Sequence, residues 1–302
     1  MATCHKLNAK KLIKPQIITF LIKCPDQKGI VSKLTHFFYQ EGFNLVSAQQ
    51  YTNSIDGMFF MRLRIESDDS VTITQEQLEE RFSRLAPVYD IIWSVDYGIT
   101  KQKVAIMVSH TTHNLYDLLQ RNKENKLHCD VKMVVSNHTK LKPIADMFGI
   151  PFYHLPVTKD TKKEQEQQLI DLFDSNEIDL IVMARYMQIL SNDFINHYPN
   201  RIINIHHSFL PAFQGANPYN RAYDRGVKLI GATAHYATED LDEGPIIEQD
   251  VERVTHESTP NTLKAIGADI ETMVLARAVK CHLNNQIIVD NNKAIVFPET
   301  GE

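Results

Sequence analysis

The hydrophobic pattern changes character near residue 100, and that break limits the architectures open to the chain more than any other feature. Before it, Phe59, Met61, Leu63 and Ile65 alternate with Arg62, Arg64 and Glu66, the two-residue period of a strand with one wet face. A strand-like run at 17–22 leads through Cys24-Pro25-Asp26-Gln27-Lys28-Gly29 into Ile30, Val31, Leu34, Phe37 and Phe38 at helical spacing. A strand at 44–51, a turn at 54–57, a helix over about 74–85 and a strand at 89–95 complete the order βαββαβ. This predicts a ferredoxin-like domain over 15–98, with four antiparallel strands covered on one side by two helices. From Lys103 onward, largely apolar strands at 104–108, 131–135, 178–183 and 202–205 alternate with helical stretches. That rhythm predicts an α/β domain over 103–302 with a doubly wound, mostly parallel sheet. Strands at 227–236 and 246–251 precede a helix at 261–282, whose buried stripe is Leu263, Ile266, Ile270, Met273 and Val274.

At 302 residues and a net charge of -5, the chain has length for two domains and no global attraction for nucleic acid. No apolar run approaches the ~18 residues of a membrane span. Cys4, Cys24, Cys129 and Cys281 are scattered, which suits thiols in a reducing compartment and predicts a cytoplasmic protein. The first fourteen residues hold five basic ones, counting His5, but no apolar core of a secretory signal.

In open α/β sheets ligands bind beyond the carboxyl ends of the strands. There Asn204 and His206, two apart in an extended run, project to one side, and the turn-rich segment 240–245 carries Asp242. An amide donor, an imidazole and a carboxylate equip a site for acyl transfer: the amide steadies an oxyanion and the others move protons. Taken alone, the three residues read equally as a strand-end cap, a satisfied core histidine and a loop carboxylate.

The run Asn204-Ile205-His206-His207-Ser208-Phe209-Leu210-Pro211, with Thr233-Ala234-His235, Asp242-Glu243-Gly244-Pro245 and Gly215-Ala216, resembles the folate-dependent formyltransferase family. That family pairs an Asn-x-His with an Asp thirty-eight residues beyond the Asn, the interval from 204 to 242. The first domain resembles an ACT domain, a small ligand-sensing module, and the pairing resembles the deformylating branch of the family. The resemblance implies hydrolysis of 10-formyltetrahydrofolate to tetrahydrofolate and formate, balancing one-carbon folate pools for purine synthesis. It implies Asn204, His206 and Asp242 as catalytic residues, with no metal and no cofactor besides the folate substrate. It places the pterin against Met187, Gln188, Leu190, Ile202, His235, Ala237, Thr238 and Asp240, with Phe213 and Gly215 at the mouth. It implies an amino-acid effector at Asp26, Lys28, Gly29 and Ile30, and a homodimer or homotetramer.

Members that formylate glycinamide ribonucleotide carry a glycine-rich turn after the first strand, where backbone amides hold a phosphate. Here Ser109-His110-Thr111-Thr112-His113-Asn114 replaces it, so water is the expected acceptor. Transfer to an amine, on glycinamide ribonucleotide or charged initiator tRNA, and an idle sensor protein are the alternatives.

Overall fold

A computed structural model describes residues 13, 16–69, 71–211 and 218–299. The described residues form two compact units, one up to Thr100 with 297–299 and the other within Lys101–Val296.

The first unit runs β1 (Gln16–Pro25), α1 (Ile30–Gln40), β2 (Asn44–Asn53), β3 (Met58–Ser67), α2 (Gln75–Leu85) and β4 (Ile92–Asp96). Its antiparallel sheet has the order β2-β3-β1-β4, the ferredoxin-like arrangement. Phe20, Phe38 and Phe82 join sheet to helices, with ring centroids 4.8 to 5.6 Å apart. Thr74 starts α2 with a reciprocal capping box to Gln77.

Two features depart from the sequence pattern. Residues 86–89 form a 3-10 turn, because Pro87 at its start fixes a helical φ, and β4 begins only after Asp90 turns left-handed. The outer sheet face is not uniformly wet: Arg62 is buried and donates to Gln49, whose amide donates to the Pro298 carbonyl. Residues 297–299 thus pack with the first unit, whereas the sequence pattern assigned them to the second.

The second unit runs β5 (Gln102–Val108), α3 (His113–Lys123), β6 (Cys129–Ser136), α4 (Lys142–Met147), β7 (Phe152–His154), α5 (Lys162–Ser175) and β8 (Leu180–Met183). It continues with α6 (Asn192–His197), β9 (Ile202–His206), α7 (Pro218–Arg225), β10 (Leu229–Tyr236), β11 (Ile246–Arg253), α8 (Pro260–Leu283), β12 (Ile287–Asp290) and β13 (Lys293–Val296). The seven-stranded sheet has the order β11-β10-β9-β8-β5-β6-β7. Strands β5 to β9 are parallel and β10 and β11 antiparallel, so the sheet is mixed and doubly wound. One core packs α3 and α8 on one face, and the other packs Phe173, Phe194 and Tyr198 on the opposite face. Each such side chain contributes about 1.5–3 kcal/mol on burial.

In α8, Leu263, Ile270 and Val274 are buried as expected and Ile266 is partly so, but Met273 is 38% exposed because it lies off the helical phase. Chain order reverses between β5 and β8, so a crevice opens beyond their carboxyl ends. Among the described residues no helix is long and apolar enough to cross a membrane.

Candidate active site

Strand β9 carries Asn204 and His206 on one face, and the antiparallel register sets His235 of β10 opposite Asn204 and Thr233 opposite His206. The loop after β10 returns Asp242 to the same place. His206 Nδ1 lies 3.1 Å from Asp242 Oδ2, His235 Nε2 3.6 Å from Asp242 Oδ1, and Asn204 Nδ2 3.2 Å from His235 Nε2. The loop is held by Tyr236 N to Pro245 O, Ala237 N to Ile202 O, and Asn292 Nδ2 to Glu243 O. Gly244 sits so close to the Tyr236 carbonyl that a Cβ there would collide with backbone. Asp242 itself has φ +59°, a left-handed conformation that Asp tolerates better than most residues.

The protonation pattern follows from what each atom can accept. His235 Nδ1 faces the Tyr236 carbonyl at 2.9 Å, and a carbonyl only accepts, so Nδ1 carries the proton. Its neutral ring therefore accepts at Nε2 from Asn204 Nδ2, which leaves the second N–H of the Asn204 amide for the cavity. His206 Nδ1 donates to Asp242, so the neutral tautomer is bare at Nε2. That Nε2 is buried without a hydrogen-bond partner among the described residues. Burial alone would raise the Asp242 carboxyl, yet the hydrogen bond from His206 holds it well below the usual carboxylate range.

These groups face a cavity of about 720 Å³ lined by Met183, Met187, Asn204, His206, Leu241 and Asp242, among others. A recess of about 50 Å³ adjoins it and shares Asn204 and Asp242.

Residues 102–279 match the formyl transferase family and residues 18–82 the ACT domain. The formyltetrahydrofolate deformylase of Bacillus subtilis (strain 168) is 48% identical over 278 residues, covering 92% of each chain. The chain belongs to the formyltetrahydrofolate deformylase family. The crystal structure of a formyltetrahydrofolate deformylase from Pseudomonas syringae pv. tomato superposes with a TM-score of 0.90 at 40% identity, covering 93% of this chain and 94% of that one. A glycinamide ribonucleotide transformylase 1 from Symbiobacterium toebii, 25% identical with TM-score 0.62, spans 66% of this chain and 95% of its own.

Within this deformylase-family site, Met187 and Gln188 line the main cavity, and Gln188, Leu190, His235, Ala237 and Thr238 line the recess. Ile202 does not reach either: it shares the strand face of Asn204 but lies two residues deeper, 1% exposed within the core. Asp240 also lies outside both linings. Phe213 and Gly215 fall outside the described residues. Among the described residues no three His, Cys, Asp or Glu side chains cluster to hold a metal ion.

The far wall of the cavity was not anticipated. Glu271 of α8, 2% exposed, accepts from Tyr219 at 2.9 Å and meets His113 Nε2 at 3.0 Å. Gly267 makes room for this: a Cβ there would strike the Tyr219 hydroxyl. Arg185, one residue beyond Ala184, completes the wall at 3.6 Å from Glu271. Ser109 fastens the segment after β8 by accepting from Met187 N while donating to Asn137. Glu271 was recognisable in principle, standing eight residues after Leu263 and thus on the buried stripe of α8.

In the first unit, Gly29 has φ +84° and begins α1 without a side-chain cap. Asp26 and Lys28 are exposed beside it, whereas the Ile30 side chain is in the core and its N–H is used by the Gln27 carbonyl. The start of α1 therefore leaves fewer free amides than the sequence pattern suggested.

Proposed function

We propose that the protein hydrolyses 10-formyltetrahydrofolate to tetrahydrofolate and formate, using Asn204, His206 and Asp242 and no cofactor besides the folate. The observation that carries this is the bare, buried Nε2 of His206, held by an ionised Asp242 at 3.1 Å beside the Asn204 amide. Water attacks the formyl carbon and its proton passes to His206 Nε2; the Asp242 carboxylate steadies the imidazolium. The carbonyl oxygen becomes an oxyanion that accepts the spare Asn204 N–H. The C–N bond then breaks, N10 takes the proton from His206, and formic acid loses its own proton to leave as formate. The low proton affinity of Asp242 favours the imidazole over the carboxylate as first acceptor, a choice that the residue types alone leave open.

Water is the acceptor because the start of α3 is closed by side chains. His113, which meets Glu271 at 3.0 Å, and the buried Asn114 stand where the transferases carry a glycine-rich phosphate turn. The pterin lies in the main cavity against Met187 and Gln188, at the mouth of the recess lined by Leu190, Ala237 and Thr238. Free thiols at Cys24 and Cys129 suit the reducing cytoplasm. The ACT unit supplies an amino-acid effector site around Asp26, Lys28 and Gly29 and drives assembly of a homodimer or homotetramer.

The test is formate release from 10-formyltetrahydrofolate by purified protein, with and without glycinamide ribonucleotide. Equal release in both supports hydrolysis. Release that depends on the amine assigns a transferase instead.

A further inference from the structure

Arg185 takes no part in these proton movements, yet it sits in their cavity at a backbone cost. Its φ is +64°, a conformation that side chains other than Gly and Asn adopt at a penalty and that clusters at functional sites. The turn is set by Ala184 N bonding the Met107 carbonyl at 2.9 Å, and it places the guanidinium over the carboxyl ends of β5 and β8, in the cavity lining.

The side chain is 16% exposed, and its Nε and Nη1 are buried without hydrogen-bond partners among the described residues. Glu271 compensates the charge but not the donors: at 3.6 Å its Oε2 is beyond hydrogen-bond reach of Nε. Both Glu271 oxygens are already engaged, Oε1 by Tyr219 and Oε2 by His113. A guanidinium with unused donors presents a planar fork, and the ligand that matches it is a carboxylate.

The reaction creates such a ligand. Its substrate carries a neutral formyl amide, and its product is an anion born against the ionised Asp242. Arg185 is within electrostatic reach of His207, as are His206 and Asp242, so the cation and the reacting cluster share one neighbourhood. His207 is itself neutral there, chiefly through burial, with its pKa lowered to about 4. We propose that Arg185 is a carboxylate subsite that draws formate off the Asn204, His206 and Asp242 cluster before it leaves the cavity. This rests on the hydrolase reading.

The experiment is two measurements on the full chain. Sodium formate binding to folate-free protein is followed by ligand-observed NMR, with sodium chloride matching the ionic strength. Inhibition of 10-formyltetrahydrofolate hydrolysis by added formate is measured alongside. Arg185→Lys keeps a charge beside Glu271 but loses the fork, Arg185→Gln loses both, and Arg185→Gly relieves the backbone; thermal unfolding identifies the folded variants. Expected is a loss of formate affinity of about tenfold or more in the folded variants, matched in the inhibition constant and larger than any change in KM. A rise in KM with formate binding intact assigns Arg185 to a carboxylate of the substrate and overturns the proposal. Hydrolysis with unaltered formate binding in every variant also overturns it. Formate binding that depends on Arg185 in a protein that hydrolyses nothing supports the carboxylate site and sinks the hydrolase reading instead.

Discussion

Replacing Asp242 by Asn isolates the role of one charge, because the amide is isosteric and Asn tolerates the left-handed φ of +59°. In the resting site the carboxylate stands 3.1 Å from His206 Nδ1, with the two side chains 13% and 7% exposed. When His206 takes the water proton, an imidazolium faces that carboxylate. At an effective dielectric constant of ~20 their attraction is about 5 kcal/mol, an upper bound because the charges keep some solvent. Each ~1.4 kcal/mol is a factor of ten in rate, so kcat should fall by about 10²- to 10⁴-fold. The assay is initial-rate formate release at saturating folate, with thermal unfolding to confirm a native fold. Asp242→Gly, which relaxes the backbone, should be as inactive as Asp242→Asn. A kcat within about fivefold of wild type in a folded Asp242→Asn protein would refute the reasoning.

Asn204→Ala should lower kcat by about 10²-fold with a smaller change in KM, since the lost N–H serves the oxyanion; steady-state kinetics separate the two. Gly244→Ala pushes a Cβ into the Tyr236 carbonyl and shifts the Asp242 loop, so activity should drop about 10²-fold while the melting temperature moves little. Gly267→Ala displaces the Tyr219 hydroxyl from Glu271 and should cost about 1–3 kcal/mol in denaturant unfolding. The depressed Asp242 carboxyl contributes stability that is complete above its unfolded pKa of ~3.9 and is lost as pH falls through its lower folded value. The stability gap between wild type and Asp242→Asn should therefore begin to narrow below about pH 4 in acid titrations. Cys24 and Cys129, pushed up to about 11 and about 12 chiefly by burial, should resist alkylation at pH 8 until the protein unfolds.

Much of the architecture was legible because hydrophobic period is a local property. The alternation at 59–65 and the apolar runs at 104–108 and 202–205 mark β3, β5 and β9 directly. The pair Asn204 and His206 was legible for the same reason, two residues apart on one strand face. The position of Asp242 was suggested by a family interval, because spacing along the chain says nothing about where a loop returns. Arg62 lies buried because residues 297–299 come back across more than two hundred positions of sequence, which no local pattern encodes. Arg185 was not legible because its importance rests on a backbone angle, and Glu271 because a carboxylate on the buried stripe of α8 interrupts the apolar signal that marks it. Pro87 misled in the opposite direction: it reads as a helix stop but begins a further helical turn.

Solvent, rather than an amine, receives the formyl group at the Asn204, His206 and Asp242 cluster on this mechanism. Hydrolysis of 10-formyltetrahydrofolate in ¹⁸O-labelled water, with formate read by mass spectrometry, tests it most directly. Formate should carry one solvent oxygen and one from the formyl group, in step with tetrahydrofolate and without added amine. Unlabelled formate, or no formate until an amine is supplied, would contradict it.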